Sequence, residues 1–233
     1  VKTIGVLGGM SWESSLEWYR LANERVHAQL GGHHSARLLL DSLDFAEIEA
    51  MQARGDWAAA GDLLAGRAAA LEGAGAELLV LATNTMHLVA DRLEAAVSIP
   101  LLHIADPAAE AIRAAGLTSV GLLGTAFTME QPFYAERLAR HGIRTLVPDT
   151  DDRATVHRVI YDELVHGIIR DESRREYVAV IERLVAQGAE GVILGCTEIE
   201  LLISSVDAPV PVFPTTALHV ESAVALALAP ADR

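Results

Sequence analysis

The chain has 233 residues, enough for one large domain or two of roughly 100–150 residues. Its 51% hydrophobic content excludes a disordered chain, and its single Cys excludes a disulfide scaffold. Lys and Arg number 18 against 32 Asp and Glu, a net charge of −14, so no global basic field exists to collect nucleic acid or an anionic membrane surface.

In chain order, short apolar runs alternate with longer amphipathic stretches. Thr3–Leu7 predicts a strand and Trp12–Leu30 a helix. Arg37–Leu40 predicts a strand, Trp57–Ala74 a helix, and Leu78–Ala82 a strand. Ala108–Ala115 predicts a helix, Ser119–Leu123 a strand, and Pro132–His141 a helix. Val156–His166 and Arg174–Gln187 predict helices, followed by strands at Gly191–Leu194 and Val210–Phe213. Uncharged runs bounded by Gly, Pro or polar residues are the mark of strands buried on both faces. Their alternation with helices implies an α/β fold with parallel sheets. No uncharged apolar run approaches the ~18 residues of a membrane span. A first strand at about Thr3 leaves no room for a targeting peptide, so a cytoplasmic globular protein is expected.

The chain also repeats itself. Ile4-Gly5-Val6-Leu7-Gly8 recurs as Val120-Gly121-Leu122-Leu123-Gly124, an offset of 116. Leu78-Leu79-Val80-Leu81-Ala82-Thr83 recurs as Gly191-Val192-Ile193-Leu194-Gly195-Cys196, an offset of 113. Pro100 and Glu110 recur as Pro211 and Glu221, an offset of 111. A period of half the chain means two similar α/β domains, not a solenoid. The expected division is 1–100 plus 209–233 for the first and 101–208 for the second. Ligands of open α/β sheets sit beyond the carboxyl ends of strands. The matched ends are Gly8 with Gly124 and Thr83 with Cys196, and the expected site is a cleft into which Thr83 and Cys196 project from opposite sides.

Cys196 lies between an apolar strand and Thr197-Glu198, which reads as a helix start. A thiol at a helix N-terminus has a lowered pKa and acts as a base or nucleophile, while a buried Cys in an apolar core is inert. Thr83-Asn84-Thr85-Met86-His87 offers hydroxyls, an amide and backbone N–H groups to a carboxylate, or an ordinary helix cap. Gly8-Gly9-Met10-Ser11-Trp12-Glu13 has neither the G-x-G-x-x-G spacing of a dinucleotide site nor a following Gly-Lys-Ser/Thr. A Gly-rich turn receiving a small anion fits it better. His33-His34 lacks further ligands at metal spacing, so no metal is expected.

At these residues the chain resembles the aspartate/glutamate racemase family. The matching pieces are Gly8–Ser14, Asp44-Phe45, Ile48, Gln52, Asn84-Thr85-Met86-His87, Gly124-Thr125, Thr128-Met129, Gly195-Cys196-Thr197-Glu198, Thr215-Thr216 and His219. The resemblance implies two α/β domains with the active site between them, no cofactor, and often a dimer. It implies proton abstraction at Cα by one cysteine and return from the other face by a second. The first cysteine is Thr83 here, as in a subgroup that prefers L-aspartate or L-glutamate, and Pro214 stands where many members have Asp. The expected reaction is therefore an asymmetric racemisation of a small acidic amino acid. Cys196 is the expected acid/base and Thr83 the opposing proton donor or relay. Asn84, Thr85 and Thr128 are the expected carboxylate ligands, Thr197 a further substrate-binding residue, with Met10 and Gln52 shaping the pocket. A single-cysteine decarboxylase of a malonate-type acid, or a non-catalytic amino-acid-binding protein, are the alternatives.

Overall fold

The structure is a computed structural model and describes residues 1–230. The described residues divide into two units, 1–104 with 219–230 and 105–218.

The first unit contains β1 (Ile4–Gly8), α1 (Trp12–Leu30), β2 (Leu38–Ser42), α2 (Phe45–Arg54), α3 (Trp57–Gly73), β3 (Leu78–Leu81), a 3₁₀ turn (Thr85–Val89), α4 (Ala90–Ala96) and β4 (Leu101–Leu102). The strands form a parallel sheet in the order β2-β1-β3-β4. On one face Ile4, Val6, Leu78 and Val80 pack with Trp18, Ala22 and Val26 of α1. On the other, Leu7, Leu79 and Leu81 pack with Ile48 of α2 and Ala60, Leu64 and Ala68 of α3. Two covered faces explain why these strands read as unbroken apolar runs.

The second unit contains α5 (Ala105–Ala114), β5 (Ser119–Gly124), α6 (Ala126–Glu130), α7 (Pro132–Arg140), β6 (Arg144–Leu146), α8 (Thr150–Asp162), a 3₁₀ turn (Leu164–His166), α9 (Asp171–Ala186), β7 (Gly191–Gly195), α10 (Ile199–Leu202) and β8 (Val212–Pro214). Its parallel sheet runs β6-β5-β7-β8. Leu123, Val192 and Leu194 pack with Val156 and Ile160 of α8 and Val180, Ile181 and Leu184 of α9. The last helix, α11 (Thr215–Leu228), begins in this unit and crosses the division at 218/219.

The repeat read from sequence is a repeat of register. Ile4 pairs with Leu78 as Val120 pairs with Gly191, and Leu79 pairs with Leu101 as Val192 pairs with Val212. Leu79 N–H donates to the Pro100 carbonyl at 2.9 Å, and Val192 N–H to the Pro211 carbonyl at 2.9 Å. Even the strand entries match: Glu77 accepts from Thr3 N–H at 2.8 Å, and Glu190 from Thr118 N–H at 2.9 Å and Ser119 N–H at 3.0 Å.

Two boundaries differ from expectation. A return to the first unit at 209 would leave out β8, whose Val212 and Phe213 pair with Val192 and Ile193 in the second sheet. Helix α8 starts at Thr150, because the Asp149 carboxylate caps it by accepting from Asp152 N–H at 3.0 Å, and it stops at Asp162. Among the described residues no helix is long and apolar enough to cross a membrane.

Candidate active site

In the first unit, the candidates lie beyond the carboxyl ends of β1 and β3. The β1 turn is tight: Gly9 has φ +84°, and a Cβ there would collide with the Leu43 backbone. Gly9 N–H donates to Ser15 Oγ at 2.7 Å, and Ser15 Oγ–H donates to the Ser11 carbonyl at 3.0 Å. Ser11 caps α1 by accepting from Ser14 N–H at 3.3 Å. Met10 is thereby turned into the same buried cluster as Met86. Gln52, buried on α2, donates from Nε2 to Met86 Sδ at 3.0 Å. Asn84, Thr85, Met86 and His87 are all buried, and Thr83 is partly exposed. The first-unit candidates Met10, Gln52, Thr83, Asn84 and Thr85 are thus gathered around Met86 at one end of the sheet.

In the second unit, Cys196 follows β7 and is partly buried. It follows a glycine because two strand ends converge there: a Cβ on Gly195 would lie 2.7 Å from the Leu123 carbonyl oxygen. Thr125 caps α6 by accepting from Thr128 N–H at 3.3 Å, and the two hydroxyl oxygens lie 3.3 Å apart. Thr128 is fully buried over Gly124, so of the expected carboxylate ligands it is the most enclosed. Thr197 shares a 2.8 Å hydrogen bond with the Thr216 hydroxyl, and Thr216 N–H donates to Glu200 at 2.9 Å. Thr215 Oγ1–H donates to the Leu194 carbonyl at 2.9 Å. The start of α11 is thus pinned to the end of β7.

The thiol differs from expectation. Cys196 Sγ–H donates to Glu198 Oε2 at 2.9 Å, and Glu198 is buried. Burial pushes the thiol well above its usual pKa, and the Glu198 carboxylate pushes it further. Helix α10 behind it has four residues and does not reverse that. Burial likewise pushes the Tyr177 phenol well above its usual pKa, and its hydroxyl donates to the Val156 carbonyl at 2.8 Å. Burial and the carboxylate thus both favour the protonated thiol, and its hydrogen bond holds it against Glu198. Among the described residues no group of three or more His, Cys, Asp or Glu is gathered as a metal site.

The family described as Asp/Glu/Hydantoin racemase matches residues 7–223. The chain belongs to that family. Its members are racemases, which makes this chain an amino-acid racemase, an isomerase. A protein from Yersinia pestis, provisionally named an Asp/Glu racemase, has a solved structure with TM-score 0.92 and 54% identity, covering 98% of this chain and 100% of its own. An aspartate racemase homologue from Pyrococcus horikoshii superposes with TM-score 0.85 at 35% identity, over 97% of this chain and 99% of its own. The broad specificity amino-acid racemase RacX of Bacillus subtilis is 24% identical over 162 residues, 68% of each chain.

The sequence does not disclose two of these pairings, Cys196 with Glu198 and Thr197 with Thr216. In sequence Glu198 is part of a motif but not a partner of the thiol, and Thr216 is not joined to Thr197. Their carboxylate and hydroxyl chemistry was legible, but the tight turns that bring them together were not.

Proposed function

We propose that the chain interconverts the L and D forms of a small acidic amino acid, aspartate or glutamate, without a cofactor. The Cα proton leaves to Cys196 on one face, and Thr83 returns a proton on the other. The observation that carries this reading is the Cys196–Glu198 hydrogen bond at 2.9 Å, on a strand end equivalent in register to the one bearing Thr83. As sulfur accepts the Cα proton, the thiol proton passes to the Glu198 carboxylate, leaving a carbanion, a neutral thiol and a neutral carboxylic acid. The Thr83 hydroxyl then donates to the opposite face and is reprotonated by water, and Glu198 returns its proton to solvent. A hydroxyl is a far weaker acid than a thiol, so the Thr83 side is the slower one and the L form exchanges faster. Asn84, Thr85 and Thr128 are the proposed carboxylate ligands, Thr197 a further substrate-binding residue, and Met10 and Gln52 the proposed pocket walls. The name of the Pyrococcus relative, an aspartate racemase homologue, supports an acidic amino acid, and that of the Bacillus relative supports amino-acid racemisation more broadly.

The test is initial deuterium incorporation at Cα of L- and D-aspartate and L- and D-glutamate in D2O. Wild type should exchange the L form faster. Cys196→Ala should abolish exchange while keeping its circular dichroism spectrum. Retention of more than a few per cent of the wild-type rate rejects Cys196 as the base. CO2 release from a malonate-type acid without Cα exchange replaces the racemase reading with the decarboxylase one.

A further inference from the structure

His87 is buried in the 3₁₀ turn that follows β3, and its imidazole folds back over that turn. Nδ1 lies 2.7 Å from the Thr83 carbonyl oxygen, and Nε2 lies 3.1 Å from the Ile104 amide nitrogen. A backbone carbonyl only accepts and a backbone N–H only donates, so the proton sits on Nδ1 and the Nε2 lone pair faces Ile104. The ring is thus a neutral spacer between the ends of two neighbouring strands. The β3–β4 ladder stops at Val80 with Leu102, two residues short of His87's partner Ile104 on that side. Beyond it, the imidazole carries the connection that main-chain pairing no longer makes.

The surroundings hold that tautomer. His103 lies 4.5 Å away ring to ring and His219 6.2 Å, both buried. Burial, then His103 and His219, keep His87 well below its usual pKa. A second ring proton would point at the Ile104 N–H, donor against donor.

We propose that His87 is a positioning residue that sets the Thr83 strand end for proton delivery, through the Nδ1–H bond to the Thr83 carbonyl. The proposal rests on the reading of Thr83 as the slower proton donor. It concerns the main chain that carries the Thr83 hydroxyl, and His87 itself touches no substrate.

The experiment separates the two faces with L-aspartate in D2O. Loss of the Cα proton reports abstraction by Cys196, whereas appearance of D-aspartate also requires delivery from the Thr83 side. His87→Gln places no donor where Nδ1 stood. It should lower the ratio of inversion to exchange at least about tenfold while changing exchange by less than about threefold, ~1.4 kcal/mol being tenfold in rate. His87→Asn puts its amide N–H where Nδ1–H was and should restore most of that ratio. With Thr83→Ala already in place, His87→Gln should lower the ratio no further, since both act through one group. An equal loss of exchange and inversion, or no difference between the Asn and Gln variants, overturns the proposal and leaves the Thr83 reading standing. If Thr83→Ala alone leaves inversion unchanged, the Thr83 reading itself has failed. Should the His87 variants not fold, ¹⁵N spectra of the wild-type ring decide: an Nδ1–H tautomer that does not titrate between about pH 5.5 and 8 is required. An Nε2–H tautomer, or titration in that window, overturns the proposal.

Discussion

At the residue scale, the thiol and its carboxylate make opposite demands. The Glu198 charge disfavours the thiolate, yet the proposed reaction hands the thiol proton to Glu198, which accepts its hydrogen bond. Glu198→Gln should therefore pull two measurements apart. Iodoacetamide labelling of Cys196 at pH 8 should speed up, because removing the carboxylate charge eases ionisation of the thiol. Cα exchange should fall about a hundredfold, the scale of a lost general base. Labelling and exchange rising together would show that Glu198 only suppresses the thiolate. The raised thiol pKa has a further sign. Below about pH 8.5 the thiol is protonated in both folded and unfolded chains and adds no pH dependence. Above it the unfolded chain releases the proton first, so stability falls with rising pH, and Cys196→Ser should lessen that fall in urea titrations at pH 8 and 9, below the range where the buried tyrosines add their own. Cys196 was legible from its place after an apolar run. Its pairing was not, because side chains two apart on a helix do not face each other, and only the turn before α10 brings Glu198 back.

At the element scale, what the sequence disclosed follows from burial. Strands covered on both faces, such as β1, β3, β5 and β7, carry continuous apolar runs and were legible to within a residue or two. Strand β4 has only Leu101–Leu102 and β6 only Arg144–Leu146, too short to hold a pattern. Helix α2 buries Ile48 and Gln52 alone, so its ten residues show almost no apolar stripe. From sequence, the Gly-rich turn after β1 fits a small anion. In the structure Gly9 also has a steric duty, since its positive φ lets the chain pass the Leu43 backbone. Gly9→Ala should destabilise by about 2 kcal/mol or more, combining a left-handed conformation with a backbone collision. Urea midpoints read this directly, and a loss below about 0.5 kcal/mol would mean that the turn relaxes freely. Gly55→Ala is the control: its φ is +69°, but a Cβ there meets nothing within 4 Å, so it isolates the conformational part.

At the scale of the whole molecule, charge opposes the proposed substrate. The chain carries −14, and several of its cations are already engaged. Arg67 grips Asp41 at 2.6 Å, Arg183 grips Asp152 at 2.6 Å, and Arg137 grips Asp106 at 2.6 Å. An acidic amino acid has a net charge of −1 at neutral pH, so its approach is uphill in the long-range field and its capture falls to short-range N–H and O–H donors. These two contributions respond differently to salt. The Debye length shrinks from ~30 Å at 0.01 M to about 8 Å at 0.15 M, which screens the distant carboxylates while leaving contacts at hydrogen-bond range nearly intact. Raising ionic strength over that interval should therefore raise kcat/KM for L-aspartate about twofold or more, through a lower KM, with kcat little changed. L-alanine, without a net charge, supplies the control wherever its turnover is measurable and should show no such rise. A fall in kcat/KM with salt would mean that a local positive field at the site outweighs the molecular charge, and that unpaired arginines, rather than backbone and hydroxyl donors, capture the substrate carboxylates.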